Sequence, residues 1–337
     1  MAKAFAAILE VSVSHLLEVR NLTVGIKRGE DIFKAVDNIS FTIDEGEILG
    51  LAGESGCGKS MTALSIPNLL PQAAKIMSGE ILYNNQSLVS LSEKEMCLYR
   101  GSEISFIFQE VRQSLNPLLR VGSQITETLE LAGVKDREKN KSIAIETLLS
   151  LGFNEPEKIF YSYPHQLSGG MCQRVMTAIA VIRRPRLLLA DEPSSSLDEE
   201  SQARILSVLM EMNRNFKTSF LIISHDLSII QRFCSRFLVM YAGRIAEEAP
   251  AEKLFSPLHP YTQALLGAIP GKEKRGKDLE NISGKVPSIE DRFQGCPFAP
   301  RCKKAQNICR ETLPPSREFE GKRKVHCFFP LTGGADG

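Results

Sequence analysis

The sequence predicts an α/β fold in which buried parallel strands alternate with helices. The first observation is an apolar strand, Ile48–Ala52, which a Gly-rich turn joins to a helix that begins at Lys59. Two further apolar runs, at 187–190 and 220–223, lead into polar residues, and an amphipathic crossover helix at 202–213 lies between them. Continuous apolar runs of this length are typical of parallel strands that are covered on both faces.

The rest of the chain adds three kinds of segment to this core. Leu17–Val24 and Ile39–Ile43 have strand-like patterns on either side of a turn, and the pattern becomes helical between about 111 and 168. A charged linker at 271–277 then leads into a segment rich in Pro and Cys. We expect an N-terminal extension at 1–14, a main domain at 15–257 with its helical insert at about 111–168, and a C-terminal extension at 258–337.

The composition is that of an ordinary soluble globular protein, with 43% hydrophobic and 24% charged residues among 337. The formal net charge of +1 gives no reason to expect a nucleic-acid partner. No apolar run approaches the ~20 residues that a membrane-spanning helix needs. The apolar run near the N-terminus ends at Glu10 after six residues, so we expect a short extension rather than a signal peptide.

The turn after the first buried strand matches the phosphate-loop pattern G-x-x-x-x-G-K-[ST] over Gly53–Ser60. Inward-pointing backbone N–H groups in such a loop cradle phosphate oxygens. Lys59 is predicted to reach the β- and γ-phosphates, and the Ser60 hydroxyl is predicted to bind Mg²⁺. The predicted nucleotide contacts of this region are Gly53, Ser55, Gly56, Gly58, Lys59, Ser60 and Met61.

A second apolar strand ends in two adjacent carboxylates, Asp191 and Glu192. Asp191, at the tip of the strand, is predicted to hold Mg²⁺ directly or through water. Glu192 is predicted to polarise the water that attacks the γ-phosphate. Alone, such a pair is often a solvated strand end, but the phosphate loop favours the catalytic interpretation.

A third motif, Leu167–Arg174, begins Leu-Ser-Gly-Gly and lies shortly before the carboxylate-bearing strand. A Ser and two glycines at the start of a helix form a second anion site. This motif resembles the LSGGQ signature of ABC ATPases. The resemblance implies that Ser168, Gly169 and Gly170 contact the γ-phosphate held by an opposite subunit, so that hydrolysis requires a dimer.

The other ABC elements follow in order. Gln109 resembles the Q-loop glutamine, which senses Mg²⁺ and couples to the membrane subunit, and Ser195–Asp198 resembles the D-loop of the dimer interface. His225 resembles the switch histidine that contacts the γ-phosphate. Catalysis is thus expected from Glu192, His225 and Gln109, and Mg²⁺ binding from Ser60, Gln109 and Asp191. Phe33 is the candidate for stacking on adenine, although a core position is equally compatible with it.

Three segments narrow the resemblance to the oligopeptide, dipeptide and nickel importers. They are Ser114–Pro117, with the sequence S-L-N-P, His259–Leu266, with the sequence H-P-Y-T-Q-A-L-L, and a tail that carries four cysteines. The resemblance implies a RecA-like core with an antiparallel β subdomain, a helical insert and a small Cys-rich extension. It also implies an ATPase that binds Mg-ATP and drives peptide uptake.

The implied partners are a second, related ATPase subunit, two membrane permeases and an extracytoplasmic solute-binding protein. The implied location is peripheral, on the cytoplasmic face of the inner membrane. Uptake of nickel or another small solute is one alternative. A soluble ABC ATPase that acts on nucleic acid, or an iron–sulfur sensor that only binds ATP, are the others.

The four terminal cysteines are Cys296, Cys302, Cys309 and Cys327, with spacing C-x5-C-x6-C-x17-C. Thiolates favour zinc or iron–sulfur clusters. The tight C-x2-C pairs of structural zinc sites are absent from this tail, and the wider spacing favours a [4Fe–4S] cluster, which some members of the resembled family carry. Zinc, or reduced or disulfide-linked cysteines, are the alternatives.

Overall fold

The computed structural model describes residues 15–110, 114–193, 198–268, 282, 284–291 and 293–331. The strands in this part of the chain are β1 (Leu17–Arg28), β2 (Asp31–Ile43), β3 (Ile48–Ala52), β4 (Ala74–Tyr83), β5 (Gln86–Ser87), β6 (Ile104–Ile107), β7 (Leu187–Asp191), β8 (Ser219–Ile223), β9 (Arg236–Tyr241), β10 (Arg244–Pro250), β11 (Ser316–Phe319) and β12 (Arg323–His326). The helices are α1 (Lys59–Ser65), α2 (Glu93–Tyr99), α3 (Val121–Leu131), α4 (Arg137–Ser150), α5 (Pro156–Tyr161), α6 (Gly169–Val181), α7 (Glu199–Phe216), α8 (Leu227–Phe233), α9 (Pro260–Gly267) and α10 (Asn307–Glu311).

The larger sheet has the strand order β11-β12-β10-β9-β3-β8-β7-β6 among the described residues. Its strands from β9 to β6 are parallel, and every residue of β3, β7 and β8 is buried. Side chains of β8 alternate between two cores, with Phe220 and Ile222 in one and Leu221 and Ile223 in the other. Both faces of the sheet are therefore covered, and the loops after its parallel strands meet at one edge.

The smaller sheet is antiparallel, with the order β2-β1-β4-β5. β1 and β2 both continue to the two-residue turn Gly29-Glu30, so the hairpin is longer than the strand pattern predicts. Register shifts in β1 between Val19 and Gly25 interrupt the alternation of buried and exposed residues. The outer half of the hairpin is mostly exposed, which leaves it without the apolar pattern that marks the inner half.

The predicted helical region is realised as α3, α4 and α5, of which the first begins at Val121; residues 111–113 lie outside the description. The crossover helix predicted at 202–213 is α7, which is longer at both ends. The Asp198 side chain caps its start by accepting a hydrogen bond from the Ser201 N–H at 2.8 Å. Its end is marked by Lys217, which has a φ of 56° in the left-handed region.

The C-terminal segment, defined here as residues 258–331, continues the larger sheet. β12 pairs antiparallel with β10, where Glu247 lies opposite Val325. The fully buried Glu247 carboxylate accepts hydrogen bonds from the N–H groups of Leu258 at 2.8 Å and His259 at 2.9 Å, and from Arg323 at 3.4 Å. The sequence pattern indicated no strands here, because β11 is exposed throughout and both strands have only four residues.

Among the described helices, we find none that is both long enough and apolar enough to cross a bilayer.

Candidate active site

Two glycines of the loop between β3 and α1 lie where a side chain could not fit without movement of the backbone. Gly53 has a φ of 151° and Gly58 a φ of 107°, both in the region that favours glycine. A Cβ at Gly53 would lie 2.3 Å from the carbonyl oxygen of Met240, and one at Gly58 would lie 2.4 Å from that of Ala35. The loop backbone is therefore packed directly against neighbouring backbone.

The ammonium of Lys59 is folded over this loop. The residue is only 6% exposed, and its Nζ donates to the carbonyl oxygens of Gly53 and Glu54, both at 2.9 Å. A buried cation held by the loop's own carbonyls lies within reach of any phosphate that the loop binds.

Asp191 lies at the carboxyl end of β7 and is buried. Burial raises the pKa of its carboxyl, and the neighbouring charge of Glu192 raises it further, whereas a hydrogen bond from Ser60 and the charge of Lys59 lower it. The Ser60 hydroxyl and the Asp191 carboxylate thus meet directly. Two oxygen ligands in contact are suited to Mg²⁺, which prefers hard oxygen donors.

Glu192 is the centre of a three-residue arrangement. One carboxylate oxygen lies 3.0 Å from Nδ1 of His225, and the other accepts a hydrogen bond from Nε2 of Gln109 at 3.3 Å. The backbone of Glu192 has a φ of 49°, unusual for a residue with a side chain, and its N–H is held by the Ile223 carbonyl at 3.0 Å. The three residues predicted to be catalytic are therefore brought together, from loops after three different parallel strands.

Most of these groups surround one cavity of about 450 Å³, although Gly53 and His225 do not line it. Of the predicted nucleotide residues, it is lined by Ser55, Gly56, Gly58, Lys59, Ser60, Met61, Gln109, Asp191 and Glu192. Sequence reasoning missed the other lining residues, which are Ile26, Arg28, Ala35, Pro287, Ser288 and Ile289. A concave pocket with a few convergent charged groups is the expected form of a small-molecule site.

Phe33 does not line this cavity. It lines an adjoining one of about 290 Å³, together with Ala35 and Gly56. Ile26 lies on the neighbouring strand β1 and does line the cavity that contains Lys59. Adenine stacking by Phe33 stays a prediction, and Ile26 is a competing candidate that the sequence pattern did not single out.

The comparisons with known proteins agree with this geometry. Residues 36–195 match the ABC transporter family, and residues 246–309 match the C-terminal region of oligopeptide/dipeptide transporters. The chain is 43% identical to the oligopeptide transport ATP-binding protein AppD of Bacillus subtilis, over 96% of this chain and 99% of that protein. It is 41% identical to the dipeptide transport ATP-binding protein DppD of Haemophilus influenzae, over 94% and 96%. The chain belongs to the ATP-binding subunits of oligopeptide and dipeptide ABC transporters.

The fold of this ABC ATPase also agrees with that of a solved structure. A dimeric ATP-binding cassette, MJ0796, bound to ADP and Pi, superimposes with a TM-score of 0.65 at 29% identity, over 70% of this chain and 98% of that one. The ABC cassette fold expected from the motifs is thereby confirmed.

The signature loop of this ABC ATPase lies at the start of α6. Ser168 caps that helix by accepting a hydrogen bond from the Met171 N–H at 3.3 Å, and a Cβ at Gly169 would meet no atom within 4 Å. None of Ser168, Gly169 and Gly170 lines the cavity that contains Lys59. Ser168 is exposed, and Gly169 and Gly170 are half-buried. Of the D-loop, residues 195–197 lie outside the described part of the chain, and Asp198 is the exposed cap of α7.

The four terminal cysteines line one small cavity, together with His259 and Phe298. None of the four is joined in a disulfide in this structure. Burial raises the pKa of Cys296 to about 11 and also raises the pKa values of Cys302 and Cys327. Within the described ranges, no group of three or more His, Cys, Asp or Glu side chains is arranged to hold a metal ion, and the comparisons do not extend to an iron–sulfur cluster.

Proposed function

We propose that this chain hydrolyses Mg-ATP to power peptide import through separate permease subunits. The observation that carries the proposal is the single cavity in which Lys59, Asp191 and Glu192 meet. The peptide cargo is supported by relatives named as oligopeptide and dipeptide transport proteins, which match nearly the whole chain.

Each residue of the candidate site has a separate role in the proposed hydrolysis of Mg-ATP. Lys59 and the loop N–H groups would bind the β- and γ-phosphates, and Ser60, Asp191 and Gln109 would hold Mg²⁺, which supplies charge stabilisation for phosphoryl transfer. Glu192 would accept a proton from the attacking water, since its carboxylate is oriented by Gln109 at 3.3 Å and by His225 at 3.0 Å. His225 would hold that carboxylate and reach the γ-phosphate.

The proposed active unit is a sandwich of this chain with a related ATPase subunit. Ser168, Gly169 and Gly170 would complete the partner's site, and the partner's equivalent loop would complete this one. The exposure of Ser168 and the open space around Gly169 support this assignment, because a loop buried within its own subunit could not reach another nucleotide.

We propose that the permeases dock next to the S-L-N-P segment. Leu118 and Leu119, which follow Pro117, are 83% and 44% exposed, and adjacent exposed leucines are typical of protein contacts. The subunit would then sit peripherally on the cytoplasmic face of the inner membrane, supplied by an extracytoplasmic binding protein. The proposed division of the chain is an ATPase domain at 15–257 and an extension at 258–337.

The experiment is ATP turnover by the assembled transporter, reconstituted with its permeases and binding protein. Lys59→Ala removes the phosphate cation of this subunit, and Ser168→Arg blocks the loop offered to the partner. Each is expected to reduce turnover by about 100-fold or more, because each removes a contact to the reacting phosphate. If Lys59→Ala and Ser168→Arg, each tested separately, kept wild-type turnover, the proposed sandwich would be refuted.

For the cysteine cavity we propose a structural [4Fe–4S] cluster, held by Cys296, Cys302, Cys309 and Cys327. Four thiolates are the usual ligands of such a cluster, and all four cysteines line one cavity. The cavity is only about 20 Å³, and the described side chains are not arranged to hold a metal ion, so the four thiols would have to rearrange around a cluster. Iron and sulfide analysis of anaerobically purified protein tests this, with Cys309→Ser as the comparison. Colourless, iron-free wild-type protein would end the proposal.

A further inference from the structure

Two side chains of the C-terminal segment contact Glu54, the second residue of the phosphate loop. The Arg301 guanidinium forms two hydrogen bonds with the Glu54 carboxylate, at 2.6 and 3.0 Å. The Tyr261 hydroxyl accepts a hydrogen bond from the Glu54 N–H at 2.8 Å. Both the side chain and the backbone of one loop residue are thus held by a part of the chain that lies more than 200 positions later.

The ion pair is well shielded from water. The side chains of Arg301 and Glu54 are 4% and 18% exposed. The hydrogen bonds to Glu54 raise the pKa of Arg301, and the guanidinium also donates to the Tyr241 hydroxyl at 3.3 Å. A two-pronged guanidinium–carboxylate pair fixes orientation as well as distance. Removal of either partner would leave the other charge buried and unpaired.

The same residue also contacts the phosphate-binding lysine. The carbonyl oxygen of Glu54 accepts a hydrogen bond from Nζ of Lys59 at 2.9 Å. Glu54 is therefore bound through its side chain to Arg301, through its N–H to Tyr261, and through its carbonyl to Lys59. A shift of this one residue would move both the loop backbone and the carbonyl that orients the ammonium.

Aromatic side chains pack around this contact. Tyr261 and Tyr241 pack edge to face with ring centroids 4.5 Å apart, and Phe298 packs against each of them at 5.2 Å. Phe298 and Arg301 belong to the same short stretch of chain, between Cys296 and Cys302. The geometry of the contact therefore depends on how the cysteine-bearing stretch is folded.

We propose that Arg301 and Tyr261 are positioning residues of the ATP site, which hold the phosphate loop in its binding conformation through Glu54. This inference rests on the proposed assignment of Lys59 and its loop to ATP. It makes ATP affinity a property of the C-terminal segment as well as of the ATPase core, although neither positioning residue touches the nucleotide cavity.

The test measures ATP affinity of the full-length protein with a fluorescent ATP analogue, under conditions that prevent turnover. Arg301→Gln and Glu54→Gln are each expected to weaken binding about 5- to 20-fold, the range for a charged hydrogen bond that is partly transmitted to the loop. Tyr261→Phe removes one neutral hydrogen bond and should weaken binding about threefold. Arg301→Lys keeps the positive charge but not the two-pronged hydrogen bonding of a guanidinium. Its ATP affinity should therefore lie between that of Arg301→Gln and that of wild type.

Two comparisons separate positioning from general stability. Arg323→Gln is the matched control, because Arg323 is another buried arginine of the C-terminal segment and pairs with Glu247, away from the loop. It should lower the unfolding temperature yet keep ATP affinity within about twofold of wild type. The Arg301→Gln/Glu54→Gln double variant should bind ATP no more weakly than whichever single variant has the lower affinity. The reason is that each substitution breaks the same ion pair.

Several outcomes would overturn the inference. They are unchanged affinity in Arg301→Gln and Tyr261→Phe, an equal loss of affinity in Arg323→Gln, or additive losses in the double variant. Lys59→Ala distinguishes failure of the inference from failure of the proposed function. If Lys59→Ala binds ATP normally, the site assignment itself is wrong. If Lys59→Ala abolishes binding while Arg301→Gln does not change it, only the positioning role is wrong.

Discussion

Replacement of Glu192 by Gln isolates the proton-accepting role assigned to this carboxylate. The two side chains have the same shape, and Glu192 is held from two sides, by Gln109 at 3.3 Å and His225 at 3.0 Å. A Gln side chain can keep a contact to both neighbours, with its amide oriented to suit them. What it loses is the negative charge and the ability to take a proton from water.

The expected effect is large on turnover and small on binding. A positioned general base contributes about 100- to 10,000-fold, which corresponds to about 3–5 kcal/mol of activation free energy. Lys59, Ser60 and Asp191 are unchanged, so the phosphate and Mg²⁺ contacts remain. In the proposed site this carboxylate would face the γ-phosphate, so its loss would also remove like-charge repulsion, and ATP affinity should stay equal or increase.

The assay is phosphate release by the assembled transporter, together with equilibrium binding of a fluorescent ATP analogue. Gln109→Ala and His225→Ala serve as comparisons, because they leave the base in place but remove the groups that orient it. Each also removes the further contact proposed for it, to Mg²⁺ for Gln109 and to the γ-phosphate for His225. We expect the turnover of both variants to lie between that of wild type and that of Glu192→Gln. If Glu192→Gln turned over within about threefold of wild type, the assignment of the base would be refuted.

Three further predictions test other parts of the structure. Ile26→Ala should weaken binding of the ATP analogue about fivefold while Phe33→Ala leaves it nearly unchanged, because only Ile26 lines the cavity with Lys59; the reverse result would restore Phe33 as the base-stacking residue. Glu247→Ala should lower the free energy of unfolding in urea by about 3–5 kcal/mol, since it leaves a buried arginine unpaired; a loss below about 1 kcal/mol would contradict this. Gly58→Ala should weaken ATP binding at least tenfold, because its Cβ would lie 2.4 Å from a backbone oxygen. Unchanged ATP affinity would show that the loop accommodates the Cβ without losing its binding conformation.

Much of the site could be predicted because its parts are local in sequence. The Gly53–Ser60 loop needs glycines where the backbone has positive φ, and those glycines are visible without any structure. Asp191 and Glu192 follow an apolar strand, and parallel strands bring their carboxyl ends together. Gln109 and His225 were identified by their resemblance to ABC elements; they follow the strands β6 and β8, and the structure brings both to Glu192.

The pocket walls could not be predicted in the same way. Ile26 lies in the poorly patterned outer half of a hairpin, and Ile289 lies in a segment without regular structure. Neither has a residue type or spacing that indicates a ligand. Their role arises only because the antiparallel sheet and the C-terminal segment both reach the phosphate loop.

The sequence by itself determined the chemistry: a phosphate loop, a carboxylate pair and a signature loop whose short spacings are set by backbone geometry. Only the tertiary structure decided what holds that chemistry in place. Arg301 and Glu54 are 247 positions apart, and the pair forms because the C-terminal segment packs over the loop beside β10. Spacing in sequence carries no information about such a contact, because the path of the intervening chain depends on the packing of the whole domain.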